Sequence, residues 1–384
     1  MYNSIVVHYG EIGTKGKNRS FFEKKLVENI KWNLKDKFIS VKRFYGRIVI
    51  EIKEDYNAAE LKEKLSNIFG ITHFSFAVKS SLDLEEIKKT ASELIPENIK
   101  SFRINASRSN KNYQYTSRDL HNILGEYIQK NKSLEVNLEK PDTTIYVEIT
   151  ENNSFIYNEK IKSLGGLPVG VSGKVVSLIS GGIDSPVSSY FMMKRGCSVI
   201  YVHFYNSTIN TKQSMEKVID IVNVLSKYQF KTKLYLVPFE EIQKEIIKEI
   251  NSRYRMIIYK RFMLMIAEKI LENENAGAIV DGSNLAQVAS QTLSNLNVIQ
   301  GATKYSVLSP VIGFDKEEII NVAKKIKTFE LSILPYEDCC SFMIAEHPAT
   351  KSDPEEIKRI ESKLSKNVLI EKAIKNAIVK RILN

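Results

Sequence analysis

Residues 174–186 read Lys174-Val175-Val176-Ser177-Leu178-Ile179-Ser180-Gly181-Gly182-Ile183-Asp184-Ser185-Pro186. The first six are mostly β-branched or aliphatic, which predicts a buried strand. Gly181 and Gly182 permit a tight turn. Ser185 can cap a following helix, and Pro186 suits its first position. A strand feeding a glycine turn into a helix aims free N–H groups and the positive dipole end at one point, which suits a phosphate. The loop lacks the Lys-Ser/Thr pair of a Walker A loop, and it is not Gly-x-Gly-x-x-Gly. The full string favours a phosphate site over a plain strand-to-helix turn.

Outward from this loop, strands alternate with helices. Strands are predicted at 174–179, 199–204, 233–237 and 278–280. Helices are predicted at 187–194, 215–225, 317–326 and, as one long element, around 247–272. This alternation predicts a parallel sheet covered on both faces. Upstream, residues 163–173 carry four glycines and one proline and read as a linker. The first third reads β-α-β-α-β: strand 4–9, helix 20–34, strand 41–52 broken at Gly46, helix 57–69 and strand 72–79. That order suggests a ferredoxin-like unit. A second small α/β unit follows, with helix 83–94, strand 101–107, a helix from 117 to 131 capped by Ser117, and a strand pair at 143–150 and 154–157.

The chain has 384 residues, 43% of them hydrophobic and 26% charged, which excludes a disordered protein. The net charge of +11 favours a polyanionic partner such as nucleic acid. The surplus is uneven: residues 1–50 hold 11 basic and 4 acidic side chains, whereas residues 51–100 hold 7 and 10. Lys15, Lys17 and Arg19 bunch in a glycine-rich loop. Arg103, Arg108, Lys111 and Arg118 interleave with Tyr113 and Tyr115. Both sets are candidate nucleic-acid backbone contacts. The tail 351–384 is also basic, and its charges are read as solvated helix faces. Three cysteines (Cys197, Cys339 and Cys340) argue against a disulfide framework and a Cys-rich zinc site, and for a reducing compartment. No signal peptide or spanning segment is read, so a cytoplasmic protein without a membrane partner is expected.

Ser180-Gly181-Gly182-Ile183-Asp184-Ser185 resembles the PP-loop of the ATP pyrophosphatase superfamily. Further segments narrow the likeness. They are Tyr9-Gly10-Glu11-Ile12 with 15–19, the stretch 281–292 beginning Asp281-Gly282-Ser283-Asn284, Asp315-Lys316-Glu317, and Glu337-Asp338-Cys339. Together these motifs, in this order, resemble the tRNA 4-thiouridine synthetase (tRNA sulfurtransferase) family over nearly the whole chain. The resemblance implies an N-terminal ferredoxin-like domain (1–76), a THUMP RNA-binding domain (77–166), a linker (167–173) and a PP-loop catalytic domain (174–384). It also implies that O4 of uridine-8 in tRNA is adenylated by ATP, with magnesium as cofactor, and then displaced by sulfur. A cysteine desulfurase is the expected donor, and a thiamine sulfur-carrier protein is a further expected acceptor.

Through the same resemblance Asp184 supports adenylation, and Lys316 and Cys339 complete the catalytic set. Lys316 is notable on its own, because a cation opening a helix opposes the dipole and implies an anionic ligand. Ser180, Gly181, Gly182, Asp184 and Ser185 are expected around phosphate. Leu178, Ile179, His203 and Phe204 lie at strand ends, where an adenine slot is expected; a packed core histidine is the alternative for His203. Lys260, Gly282 and Gln291 match nucleotide-contact positions, with a surface lysine the alternative for Lys260. If 287–291 is helical, Gln287 and Gln291 share a face. Cys340 is the alternative to Cys339, or resolves a mixed disulfide. Longer family members end in a rhodanese domain carrying a persulfide cysteine; this sequence stops at Asn384, so sulfur is expected through Cys339, its neighbour or a partner. A homodimer is expected on the argument that the THUMP arm of one subunit can hold a tRNA whose reactive end lies on another. The competing functions are another PP-loop tRNA-adenylating enzyme and a non-catalytic tRNA-binding protein.

Overall fold

The structure is a computed structural model that describes residues 2–44, 46–206, 212–335 and 347–383, with the backbone alone at 212–214 and 383. The chain forms two compact units, Met1–Pro168 and Val169–Asn384.

The first unit contains β1 (Ser4–His8), α1 (Arg19–Leu34), β2 (Phe38–Phe44), β3 (Arg47–Ile52), α2 (Ala58–Ser66), β4 (His73–Ser80), α3 (Leu84–Glu93), β5 (Ser101–Arg108), α4 (Ser117–Lys132), β6 (Glu135–Val136), β7 (Thr143–Ile149), β8 (Ser154–Tyr157) and β9 (Ile161–Lys162). Its sheet order is β2-β3-β1-β4-β8-β7-β5-β6, with β9 also on β4. The single strand expected at 41–52 is two antiparallel strands, with Phe44 opposite Arg47. Gly46, at φ +82°, takes the left-handed conformation that turns the chain between them. The correction completes the β-α-β-β-α-β order of a ferredoxin-like fold.

Local chemistry fixes the helices. Leu26, Ile30 and Leu34 line the buried stripe of α1. The side chain of Asn57 caps α2, and that of Asp83 caps α3. In α4 the cap is Thr116 rather than the expected Ser117, closed by Asp119 into a reciprocal capping box. The boundary expected at residue 76 falls inside β4, which pairs with β1 through Ala77 and with β8 from Val78 onward. One strand therefore belongs to both halves of the unit. On the sheet face away from α1 and α2, Val6, Val49 and Ala77 pack with Phe155 and Tyr157.

A charged group is buried beside that patch. Glu148 is 5% exposed. It pairs with Arg47, lies 2.9 Å from His8 Nε2 and accepts a 2.5 Å hydrogen bond from the Tyr157 hydroxyl. Burial alone would raise its pKa. The His8 hydrogen bond and charge, Arg47 and Tyr157 outweigh that and bring the carboxyl down to about 2. His8 stacks on His73 at 4.6 Å between ring centroids. Burial, followed by the neighbouring His8 and Lys160, lowers His73 to about 4.

The second unit contains β10 (Lys174–Leu178), α5 (Asp184–Lys194), β11 (Ser198–Tyr205), α6 (Lys212–Ser226), β12 (Lys231–Pro238), α7 (Glu240–Glu249), α8 (Ser252–Glu274), β13 (Ala278–Val280), α9 (Leu293–Gln300), β14 (Val307–Leu308), α10 (Lys316–Lys325), α11 (Phe329–Ser332), α12 (Pro354–Glu361), α13 (Lys366–Lys375) and β15 (Ile378–Leu383). The sheet order is β14-β13-β10-β11-β12-β15, parallel except for β15. The helix expected around 247–272 is two helices. Asn251 starts the second by accepting from the Arg253 N–H. The C-terminal tail is not only solvated helix: Ile357, Leu364, Ile370 and Ala373 join the main core, and β15 closes the sheet edge. Arg261 and Glu361, 6% and 2% exposed, form a bidentate pair at 2.8 and 3.0 Å between α8 and α12.

Candidate active site

Strands β11 and β12 extend the second sheet to one side of β10, and β13 and β14 to the other. The order therefore reverses between β10 and β13. At such a switch point the two following loops diverge and leave a crevice at the strand carboxyl ends. The Ser180 loop leaves β10 there, and the stretch starting at Asp281 leaves β13 beside it.

The loop is held by its own serines. The Ser180 N–H donates to Ser185 Oγ at 2.9 Å, the two hydroxyls lie 3.1 Å apart, and the Gly182 N–H donates to Ser180 Oγ at 3.3 Å. One turn further, the Ser189 hydroxyl donates to the Ser185 carbonyl and contacts Ser177 Oγ at 2.8 Å, which ties α5 to β10. Ile183 precedes α5 without a side-chain cap. Its side chain offers no oxygen to the first-turn N–H groups, as suits an anion-receiving helix start.

Gly282 explains why the crevice is so tight. A Cβ placed there would lie 2.8 Å from Ser185 N and 3.0 Å from Ser185 Cα. Only a residue without a side chain lets the two loops close together. Next to it, Asp281 accepts from the hydroxyls of Ser283 (2.7 Å) and Ser309 (2.6 Å), so this carboxylate braces the loop after β13.

Asp184 opens α5, and Lys316 opens α10. Lys316 Nζ donates to Asp184 Oδ1 at 2.9 Å, with side-chain exposures of 48% and 21%. The helix start that carries Lys316 is capped by Asp315, in a reciprocal box with Glu318. The cation that opposes its own helix dipole is therefore aimed across the crevice at the start of α5. The arrangement offers backbone donors, a half-exposed ammonium and a carboxylate around one space. It can hold a polyphosphate and stabilise charge that develops on it.

The remaining expected nucleotide contacts divide. His203, 2% exposed, places Nδ1 3.0 Å from the Ile179 carbonyl. A carbonyl only accepts, so this nitrogen carries the proton and the ring braces the strand end before the loop. Phe204 packs on Phe239 within the core. Leu178 is half-buried and Ile179 is buried, and Lys260 is half-buried on α8. Residues 287–291 are not a regular helix: Ala286 is left-handed at φ +62° and a single 3-10 turn covers Ala289–Gln291. Gln287 and Gln291 therefore do not share a helical face. Gln291 Oε1 is buried without a hydrogen-bond partner among the described residues, as an atom reserved for a ligand would be. Cys339 and Cys340 lie outside the described residues. Cys197 is buried, and burial raises its thiol pKa.

Sequence patterns passed over Lys217. It is 5% exposed, and its Nζ donates to the carbonyls of Ser332 (2.9 Å) and Leu334 (2.7 Å). The Ser332 hydroxyl in turn donates to the Gly182 carbonyl at 3.3 Å. No local signal distinguishes this lysine, because the two carbonyls it holds lie more than a hundred residues away.

Of the seven basic residues expected to contact RNA, Lys17, Lys111 and Arg118 are exposed. Arg19 is engaged internally, with Glu23 at 2.8 Å and the Tyr9 hydroxyl at 2.7 Å. Arg108 donates to the carbonyls of Lys111 and Tyr113, and Arg103 to that of Leu138. Lys15 sits 3.4 Å from Glu11. No helix among the described residues is long and apolar enough to cross a membrane. No group of three or more metal-ligating side chains occurs among them either.

Residues 170–366 match the family described as thiamine biosynthesis protein (ThiI). Residues 4–75 match the ThiI ferredoxin-like domain, and residues 82–159 the THUMP domain. Probable tRNA sulfurtransferases of Thermoanaerobacter sp. (strain X514) and Thermoanaerobacter pseudethanolicus are each 41% identical over 95% of this chain and 96% of their own length. A crystal structure of a 4-thiouridine synthetase–RNA complex with bound ATP is 38% identical, covers 100% of both chains and superposes with a TM-score of 0.92. A protein from Pyrococcus horikoshii Ot3 is 26% identical over 85% of this chain and 99% of its own, with a TM-score of 0.67. Matched from its first strand to its catalytic sheet, the chain belongs to the ThiI family of tRNA sulfurtransferases.

Proposed function

We propose that this chain converts uridine-8 of tRNA to 4-thiouridine at the crevice between β10 and β13. The observation that carries the reading is the approach of Gly282 to the start of α5, opposite the Lys316–Asp184 pair. The Ser180–Ser185 loop and the uncapped start of α5 suit the phosphates of ATP. The unpartnered Gln291 oxygen suits a further polar contact with the nucleotide. Asp184 is the residue to hold magnesium, which when bound neutralises phosphate charge.

In the first half-reaction O4 of the uracil ring bonds to the α-phosphorus as the N3 proton is released to solvent. The bond to the β-phosphate oxygen breaks, and pyrophosphate leaves. Lys316 stabilises the charge that develops there, an effect worth roughly 10²–10³ in rate for one well-placed donor. In the second half-reaction the terminal sulfur of a persulfide bonds to C4, and AMP leaves with the former O4. The remaining S–S bond is then cut by a second thiolate, which leaves sulfur on the base and a disulfide behind. Cys339 is the thiol assigned to this half, with a cysteine desulfurase as the source of persulfide sulfur. Lys17, Lys111 and Arg118 are the exposed cations among the seven candidates and best suited to tRNA phosphates, with shape and backbone contacts outweighing base recognition. The same sulfur chemistry serves a thiamine sulfur-carrier protein if its carboxyl end is adenylated in place of uridine.

The test is pyrophosphate release from magnesium ATP, with and without unmodified tRNA and in the absence of sulfur. Release that requires tRNA supports the reading. Release that ignores tRNA, or that survives in Asp184→Ala, contradicts it.

A further inference from the structure

The loop after β13 faces two ways. On one side Gly282 closes on Ser185 at the start of α5. On the other side the loop meets residues 309–315, which lead from β14 to Lys316. Strand β14 has only two residues and lies at the sheet edge. Two single turns follow it, with Ile312 N–H donating to the Ser309 carbonyl and Phe314 N–H to the Val311 carbonyl, both at 3.1 Å. Regular structure therefore does little to fix where α10 begins.

Contacts from the β13 loop do so instead. The Asp281 N–H donates to the Leu308 carbonyl at 3.0 Å, and its carboxylate accepts from the Ser309 hydroxyl. The Leu285 N–H donates to the Ile312 carbonyl at 3.0 Å. Between these two, the side-chain amide of Asn284 donates to the carbonyls of Val311 (3.1 Å) and Phe314. An amide nitrogen carries two hydrogens, so Asn284 spends both on this one segment. Lys316 follows Phe314 by two residues. The Phe314 ring meets Phe191 of α5 edge to face, with centroids 5.4 Å apart. Held at its carbonyl by Asn284 and at its ring by Phe191, Phe314 sets the start of α10 against α5. From there Lys316 Nζ reaches Asp184 at 2.9 Å. The chemistry selects asparagine. Aspartate has the same shape but would set carboxylate oxygens against two carbonyls, and alanine would leave both carbonyls without this donor.

We infer that Asn284 is a positioning residue for adenylation: its amide holds the segment that places Lys316 across the crevice from the phosphate loop. The inference rests on the proposed reaction and on the role of Lys316 in it.

The experiment is a double-mutant cycle on the full chain, with unmodified tRNA and magnesium ATP and without sulfur. Pyrophosphate release is followed under single-turnover conditions. Asn284→Ala lowers the rate by roughly 10-fold or more, as expected for a displacement approaching an ångström. Asn284→Asp, equal in size but without the donors, loses at least as much. Added to Lys316→Ala, Asn284→Ala lowers the rate by less than about 2-fold further, because the group it positions is already gone. A residue that served only the fold, or that acted through Gly282 on the same loop, would lower both backgrounds equally, and that result overturns the inference. A wild-type rate in Asn284→Ala or Asn284→Asp overturns it too and leaves the proposed reaction standing. Calorimetric melting confirms that each variant is folded. If Asn284→Ala does not fold, Asn284→Ser is read by the same criteria. Failure of all three Asn284 variants to fold makes Asn284 a stability residue and overturns the inference. Wild-type protein without tRNA-dependent pyrophosphate release overturns the proposed reaction itself, and this inference with it.

Discussion

Replacing Gly282 with alanine adds one methyl group at the closest approach in the active-site crevice. The new Cβ would stand 2.8 Å from Ser185 N, 3.0 Å from its Cα and 3.1 Å from the Asp184 carbonyl carbon. Ordinary contact begins at 3.4 Å, so the loop after β13 and the start of α5 must separate by about 0.6 Å. All three neighbours are backbone atoms, which a rotamer change cannot move. The φ of Gly282 lies outside the left-handed region, so the effect is steric and not a matter of backbone strain. Overpacking of this kind costs about 1–3 kcal/mol. In a unit of this size that lowers the melting temperature by roughly 2–12 °C. A shift of that size between nucleotide-binding elements should also reduce adenylation by roughly 10-fold, since displacement by 1 Å costs about 10². Gly313 has open space around it, so Gly313→Ala is the matched control and should change neither quantity. Calorimetric melting and tRNA-dependent pyrophosphate release measure the two effects. A Gly282→Ala protein with wild-type melting and wild-type kinetics would refute the claim that the two loops close on each other.

Other substitutions address other parts of the account. Lys316→Ala should lower pyrophosphate release by roughly 10²-fold while leaving the melting temperature nearly unchanged, because its partner Asp184 is partly solvated; a parallel loss of stability would recast Lys316 as structural. Glu361→Leu leaves Arg261 buried without its carboxylate, and should cost about 3–5 kcal/mol, or roughly 6–20 °C in melting temperature, read by calorimetry. The first unit should lose stability in acid. The folded pKa of His73 is depressed to about 4, so its contribution is intact above the ordinary value of 6.5 and fades as pH falls toward 4. Glu148, depressed to about 2, contributes fully above 4.5, and its contribution is lost as pH falls toward 2. Urea unfolding followed by the single tryptophan, Trp32 on α1, reads both windows, and Glu148→Gln should flatten the lower one. Removing Lys17, Lys111 or Arg118 should reduce the salt slope of tRNA binding by about one each. Arg108→Ala should instead destabilise the fold, through its lost carbonyl contacts.

The phosphate loop was legible because its chemistry is local: a strand, two glycines, a serine and a proline occupy thirteen consecutive residues. Family resemblance suggested a nucleotide contact for Gly282, but its approach to Ser185 was not legible, since β10 and β13 are about a hundred residues apart. Lys316 stood out as a cation at the wrong end of a helix and suggested an anionic ligand, but its pairing with Asp184 across the crevice was not legible. The hairpin at Gly46 was read only as a break within one strand, because the turn carries no Asn-Gly signal. Residues 247–272 looked continuous because Asn251, a good cap, sits between two helical patterns that happen to run in phase. Thr116 outcompeted Ser117 as a cap through Asp119, three residues on. Strand β15 could not be recognised from its own residues, as its strand character comes from pairing with β12. Arg19, Arg103 and Arg108 show the same limit in reverse. Their clustering suggested RNA, although Glu23, one helical turn on, already engages Arg19; the Leu138 carbonyl held by Arg103 lies too far along the chain to leave a local mark.

The most direct measurement is nucleoside mass spectrometry of a tRNA transcript incubated with the wild-type chain, magnesium ATP and a persulfide source. The account predicts one exchange of oxygen for sulfur, at uridine-8, dependent on ATP and absent with Asp184→Ala. Thiolation without ATP, thiolation at another position, or full thiolation by Asp184→Ala would contradict it.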